Sequence, residues 1–286
     1  MGLIRKEDIH ESFLQELMVN NNLLINGDFQ VWQRGTSFNG ANIYTADRWK
    51  TNFNATVTKQ NGKAHVHANE QFGGLIQFIE FKDMKNIIQG RDISGTIKLN
   101  VISGFVTFVV QFIPKSSAPT ITKSINVTNG VNSLTITAPT NLDDYRTFEC
   151  LVYGNPNSEY EIEYIKVELS SVATSFVPRP YTEELALCKR YYQYGAYRGV
   201  GSLYTASGYL YVPLDVNLRI SPTLGTKSVA GILRTANGHA DVKTISSAGL
   251  CNNGIMLEYT HEISSPVTNT PVFWDNGRLE LDAEIY

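Results

Sequence analysis

The 286-residue sequence predicts a mainly β chain, on three observations. Charged residues make up only 18% of it, below the roughly 25% usual in globular domains. Asn, Ser, Thr and Gly together supply 90 residues, which is turn-rich chemistry. Seven glycines directly follow an asparagine, at positions 27, 40, 62, 130, 238, 254 and 277, where random order gives about two. Asn-Gly favours tight hairpins because both residues tolerate positive φ. The expected order is a short N-terminal helix, a β-sandwich, a short linker helix and a second antiparallel β-sandwich.

Residues 1–20 carry the one long helical pattern, with Ile9, Phe13 and Leu17 on a stripe beside Leu14 and Met18. The stripe is too broad for a coiled-coil seam. Its apolar face needs cover, either from its own domain or from a partner subunit.

Residues 21–176 read as short strands. Val106, Phe108, Val110 and Phe112 alternate, and Ile121–Val127 and Val131–Ile136 flank Asn129-Gly130 as an expected hairpin. Tyr160, Ile162 and Tyr164 share one parity; Ile165, Val167 and Leu169 share the other. That change of parity predicts a β-bulge. Trp32 and Trp49 are expected in the core.

Residues 177–194 form the expected linker. Val177-Pro-Arg-Pro-Tyr181 is stiff and extended, and Thr182 then caps a helix with Glu183 and Glu184 at its positive end. Residues 195–286 form the second β unit. Leu210 to Ile220 alternate over eleven residues, with Pro213 marking an edge or a bulge. Trp274-Asp275-Asn276-Gly277 reads as a hairpin tip, and Leu279, Leu281, Ala283 and Ile285 alternate with Glu280, Asp282 and Glu284.

Composition also disfavours several functions. A net charge of -3 without a basic cluster lacks the footprint of a nucleic-acid binder. The most apolar stretch, 101–114, is too short to span a bilayer. The N-terminus has no apolar core of a secretory signal. Cys150, Cys188 and Cys251 are odd in number and widely spaced, so neither a disulfide framework nor a zinc site is expected.

Catalytic signatures such as GxSxG, the P-loop, GxGxxG and HExxH do not occur. His65 and His67 share a strand face without a third ligand at motif spacing. Glu280, Asp282 and Glu284 could offer glycosidase spacing, but a row of like charges reads as a solvated face. The 15 tyrosines suit sugar stacking and wet interfaces. Tyr209 and Tyr211 lie opposite their strand's apolar parity and should point outward. Trp274 is expected either in the core or as a platform at its hairpin tip, beside Asp275 and Asn276.

Two stretches resemble a known family. Asn22-Leu-Leu-Ile-Asn-Gly-Asp-Phe-Gln-Val-Trp-Gln-Arg-Gly-Thr-Ser-Phe38, with Tyr44-Thr-Ala-Asp-Arg-Trp49, is similar to the opening of a domain in bacteriophage tail-fibre and receptor-binding proteins. Ser171 to Tyr192 resembles the junction that closes that domain, and Leu218–Thr223 and Leu281–Ile285 resemble its terminal module. More distantly, Asn26–Gln30 with Ile165, Val167 and Leu169 resembles carbohydrate-binding jelly rolls.

The resemblance implies a non-enzymatic virion tail protein, of a phage or a phage-like bacteriocin. It would bind host cell-wall polysaccharide and assemble as a homotrimer. Residues 1–20 would attach it to other tail or baseplate proteins, and the polypeptide would be made in the host cytoplasm. Glycan contacts would come from Trp274 and Tyr209 by stacking, from Tyr211 as a mixed contact, and from Asp275 and Asn276 by hydrogen bonding. The jelly-roll likeness suggests a structural calcium at Asp28 and Glu168, against which stand Gln30 and Lys166 in positions where acidic residues are common. No other cofactor is implied. The alternatives are a structural tail, baseplate or head-fibre component without a ligand, and a polysaccharide-degrading enzyme.

Overall fold

A computed structural model describes residues 22–116, 118–235, 238–262 and 270–284. The helix expected over residues 1–20 lies outside them. The chain divides between Glu184 and Leu185 into two compact units.

The described residues of the first unit form eleven strands: β1 (Ser37–Ala41), β2 (Lys50–Asn52), β3 (Asn54–Gln60), β4 (Lys63–Ala68), β5 (Gly73–Ile79), β6 (Asp92–Ser103), β7 (Val106–Pro114), β8 (Ile121–Asn126), β9 (Gly130–Thr137), β10 (Tyr145–Gly154) and β11 (Glu159–Glu168). They form a six-stranded sheet, β1-β3-β4-β11-β6-β9, and a five-stranded one, β2-β5-β10-β7-β8. All pairings are antiparallel, and most connections change sheet, as in a jelly roll. The facing sides bury Trp49, Val57, Val66, Ile97, Phe108, Phe112, Phe148 and Tyr160 in one core. Alternation places them there, because side chains on one strand face recur every second residue.

The parity change in β11 is the expected bulge. Tyr160 and Ile162 point into the core, the register shifts between Ile162 and Tyr164, and Ile165 and Val167 point in again. Asn61-Gly62 closes the β3–β4 hairpin, with φ of 50° and 78°. Asn129-Gly130 does something different. β8 pairs with β7 and β9 with β6, so this turn carries the chain from one sheet to the other. Asn129 accepts the backbone N–H of Val101, 2.6 Å away, which fastens the crossing.

The two stretches that carry the family resemblance fold against each other. Leu23 N–H donates to Val167 O, and Ile165 N–H to Gly27 O, so the loop at 22–29 lies along β11. A side chain at Gly27 would meet Ile165 O at 2.4 Å, so this approach needs glycine. Trp49 donates to Asn26 O and stacks on Phe29 at 5.0 Å. Arg179 then donates to Asn22 O and Leu24 O and pairs with Glu184 at 3.1 Å. Glu184 also accepts the Asn26 N–H. The peptide around Arg179, expected as a stiff, extended connector, is also a clasp of the first unit. The helix Tyr181–Lys189 begins one residue before Thr182, which lies in its first turn instead of capping it; Pro180 O accepts the N–H groups of Glu183 and Glu184 there.

The described residues of the second unit form seven strands: β12 (Tyr192–Leu203), β13 (Ser207–Pro213), β14 (Thr223–Leu224), β15 (Ile232–Thr235), β16 (Gly238–Cys251), β17 (Gly254–His261) and β18 (Thr270–Asp282). The antiparallel β architecture expected there is present, and its ladder closes. The order is β12-β13-β17-β16-β15-β18-β14, and β12 also pairs with β18. Closure removes the unpaired edges that an open sheet exposes. Inside lie Leu210, Val212, Leu233, Ile255, Leu257, Tyr259, Val272, Trp274, Leu279 and Leu281.

Two expectations for this unit are corrected. The alternation from Leu210 to Ile220 is not one strand, since β13 stops at Pro213. Pro213 has no N–H to extend the ladder. Trp274-Asp275-Asn276-Gly277 is not a hairpin tip but lies inside β18. Asn276, with φ of 57°, sits where the pairing with β12 shifts register, so its positive φ serves a bulge.

Candidate functional site

The outward side of the five-stranded sheet combines apolar, aromatic and fixed polar groups. One cross-strand row runs Lys50, Ile76, Leu151, Val109, Ser124. Its centre, Ile76, Leu151 and Val109, is an apolar cluster separate from the core, with Phe78 and Tyr153 against it. An outward sheet face ordinarily carries polar residues at such positions. The next row on one side is Phe78, Glu149, Gln111, Thr122; on the other it is Asn52, Gly74, Tyr153, Thr107, Asn126.

Glu149 is held from both sides. Gln111 donates to one carboxylate oxygen at 2.8 Å and Thr147 to the other at 2.6 Å. Two donors fix the carboxylate, which is buried at 8% exposure.

At the Tyr153 end stand two exposed phenylalanines in an unusual backbone state. Phe53 and Phe72 have φ of 57° and 64°, the left-handed region that bulky side chains rarely adopt. Their side chains are 50% and 41% exposed, and the ring centroids lie 5.8 Å apart. Phe72 meets Tyr153 edge-on at 5.2 Å. The Asn52 side chain donates to Phe72 O, Phe72 N–H donates to Gly154 O, and Asn54 N–H donates to Glu70. These bonds hold the strained turns in place. The result is a rigid aromatic platform at the end of an apolar cluster that is itself buried, with Ile76, Val109 and Leu151 at 5–7% exposure and Glu149 at 8%, so the accessible part is the Phe53, Phe72 and Tyr153 rings, which suit a ligand with flat apolar faces. Sequence reading missed it. The available signal was Phe53 between two asparagines and Phe72 before Gly73-Gly74, each an isolated ring in turn-forming surroundings.

The residues expected from sequence fare unevenly. Trp274 is corrected: it is 1% exposed, its indole N–H donates to Ala230 O, and it cannot stack on a sugar. Its strand parity points it into the closed ladder with Val272 and Leu279. Tyr209 points outward and is 48% exposed. Tyr211 is half-buried, with its hydroxyl donating to the carbonyls of Asn252 and Asn253. Asn276 is exposed, while Asp275 is half-buried and lies 3.6 Å from both Arg198 and Arg234.

The calcium pair does not fit. Glu168 is buried, with one oxygen accepting Thr174 N–H and the other accepting the Thr174 hydroxyl and pairing with Lys166 at 3.0 Å. The ammonium of Lys166 already supplies the cation. Asp28 accepts from Gln30 at 2.8 Å, and burial raises its carboxyl pKa, against smaller lowering contributions from that hydrogen bond and from Arg179. Among the described residues no group of three or more His, Cys, Asp or Glu is arranged to hold a metal. His65 pairs instead with Glu159 at 3.0 Å. Of the C-terminal carboxylates expected on a solvated face, Glu284 is fully buried and Glu280 accepts the Tyr192 hydroxyl at 2.7 Å. No helix among the described residues is long and apolar enough to cross a membrane.

No protein-family model and no curated protein matches this chain. Several solved structures share low-identity likeness over about half of it. One is the CBM22-1–GH10 part of endo-1,4-beta-D-xylanase 10B from Clostridium thermocellum, complexed with xylohexaose: 11% identical, TM-score 0.35, covering 52% of this chain and 30% of that one. A CBM4 structure is 13% identical with TM-score 0.34, covering 51% and 98%. The enzymatically active domain of bacteriophage CBA120 tailspike protein 4 is 14% identical with TM-score 0.34, covering 52% and 22%. The chain thus spans less than a third of the xylanase and tailspike structures. At such identity no site residue transfers from them.

Proposed function

We propose that this chain is a non-enzymatic phage or phage-like bacteriocin tail protein that adheres to host-surface polysaccharide. The observation that carries the adhesive reading is the strained, exposed Phe53–Phe72 pair beside Tyr153. Backbone strain in an exposed aromatic turn persists where surrounding bonds over-determine it, and such strain clusters at ligand sites. Sugar rings would stack on these aromatics and bond to the half-buried Asn52 and Gln111. The tail placement rests on the resemblance of 22–49 and 171–192 to tail-fibre proteins. In that setting three chains share an axis, and residues 1–20 attach to the rest of the tail. Three weak sites on one particle gain avidity without new contacts.

The test is binding of the full chain, fused to a fluorescent protein, to a panel of bacterial cells with and without periodate oxidation of their glycans. Adhesion lost on oxidation is expected. A chain that decorates no cells yet co-assembles with other virion proteins would point to a structural component. Release of reducing ends from purified wall polysaccharide would point to an enzyme.

Glycine at the two strained positions separates binding from stability. Phe53→Gly and Phe72→Gly relieve left-handed strain of about 1 kcal/mol each, offset in part by the freedom glycine gains in the unfolded chain. Thermal stability is expected to stay within about 1 kcal/mol of the parent, while glycan adhesion falls at least about tenfold, since stacking is worth about 1 kcal/mol or more per ring. Unchanged adhesion in the double variant would remove the aromatic platform from the site.

A further inference from the structure

The aromatic platform does not stop at Tyr153. The register that aligns Asn52, Gly74, Tyr153, Thr107 and Asn126 continues one step towards the end of the five-stranded sheet. That step brings Phe72, Asn155 and Phe105 into one row, since Gly154 pairs with both Gly73 and Val106. Phe105 keeps the outward parity of Thr107 and Val109, and Asn155 that of Tyr153. Phe105 is 73% exposed, and Asn155 is exposed as well. The backbone of Phe105 is nonetheless pinned. Its N–H donates to the Ser158 hydroxyl oxygen at 3.1 Å, and its carbonyl accepts the Asn155 N–H at 3.2 Å. Phe72 N–H donates to Gly154 O of the same turn. One turn, residues 154–158, therefore fixes both phenylalanines, their backbones two strand spacings or about 10 Å apart.

We propose, on the basis of the adhesive reading above, that this row extends the platform into a subsite for three consecutive sugars of a neutral glycan chain. Two linked pyranose rings of an extended chain span the distance between Phe72 and Phe105. The first and third sugars stack on the phenylalanines, and the middle one lies over Asn155, whose amide both donates and accepts. That amide decides against a lipid contact, because an acyl chain has nothing to answer a polar group held between two rings. Charge sets the class of glycan. Neither row holds a lysine or arginine, the side chains that bind phosphate and carboxylate groups most strongly. Glu70, which accepts the Asn54 N–H next to Phe53, would repel an anion.

The test uses the full chain and the wall polysaccharide of a strain that it decorates, cleaved by partial acid hydrolysis, separated by charge and sorted by length. Neutral fragments of three sugars should bind about tenfold tighter than fragments of two, as one added stacking contact does. Phe105→Ala should erase that gain while leaving two-sugar binding and the melting temperature unchanged, because the ring is not part of the core. Asn155→Ala should weaken both fragments, since each lies over the amide. Equal binding of the two lengths, a Phe105→Ala chain that keeps the gain, or preference for the anionic fragments overturns the proposal while the adhesive reading stands. So does binding to glycan-free phosphatidylglycerol vesicles that Phe105→Ala abolishes, which would make the row a lipid contact. A chain whose adhesion to cells is absent, or survives periodate, overturns the adhesive reading and this proposal together.

Discussion

Replacing Arg179 with methionine is expected to destabilise the first unit by about 3–5 kcal/mol, the cost of removing one partner of a buried ion pair. That is a large part of the roughly 5–15 kcal/mol that holds a domain folded. Arg179 is 4% exposed and Glu184 2%. The guanidinium satisfies the carbonyls of Asn22 and Leu24 and the carboxylate of Glu184 at once. Methionine fills the volume and satisfies none of them. Urea unfolding followed by the fluorescence of buried Trp49 measures the loss, and a change below about 1 kcal/mol would mean the clasp is incidental.

The same variant has a pH signature. Burial already raises the Glu184 pKa, and Arg179 opposes the rise. Without the arginine the folded-state pKa climbs further above its unfolded value. A raised carboxyl contributes stability that is present below the unfolded pKa and lost as pH rises through the folded one. The deficit of Arg179→Met should therefore be largest at neutral pH and shrink towards pH 4. Adding Glu184→Gln should recover part of it at pH 7 and remove much of the pH dependence.

The second large effect is Trp274→Ala, expected to cost about 3–5 kcal/mol and to unfold the second unit ahead of the first. Trp274 pairs in register with Gly199 of β12 and with Leu233 of β15, at a point where the ladder closes. Its ring lies over Gly277, where a methyl group would come within 1.8 Å of the indole. Gly277→Ala should thus destabilise the same unit by forcing the Trp274 ring out of its position. Calorimetry should show one transition lowered and the other unmoved. A surface platform would behave oppositely, losing adhesion with no change in melting.

Local pattern carried much of the fold into view. Alternation marked the core faces of β7 and β11, and the parity switch located the bulge before Ile165. Asn-Gly at 61–62 marked a true hairpin. The same dipeptide at 129–130 and 276–277 marked a sheet crossing and a bulge. Positive φ at asparagine is a local property, whereas the strand that lies across the turn is a distant one. Trp274 was ambiguous for a related reason. A turn-like tetrapeptide beside an aromatic reads as an exposed tip until pairing with β12 and β15 shows it to be strand.

The sequence by itself determined the β class, the order of elements in the described residues and most of their buried faces, because those follow from residue spacing along one strand. Tertiary structure alone decided which side chains share a surface. It gathered Phe53, Phe72, Tyr153, Gln111 and Glu149 from β7, β10 and the turns beside β3 and β5. It also turned a Pro-Arg-Pro connector into a clasp on the first loop. Each of these depends on cross-strand register between residues far apart in the chain, and register is fixed by the packing of the whole sheet rather than by neighbours in sequence.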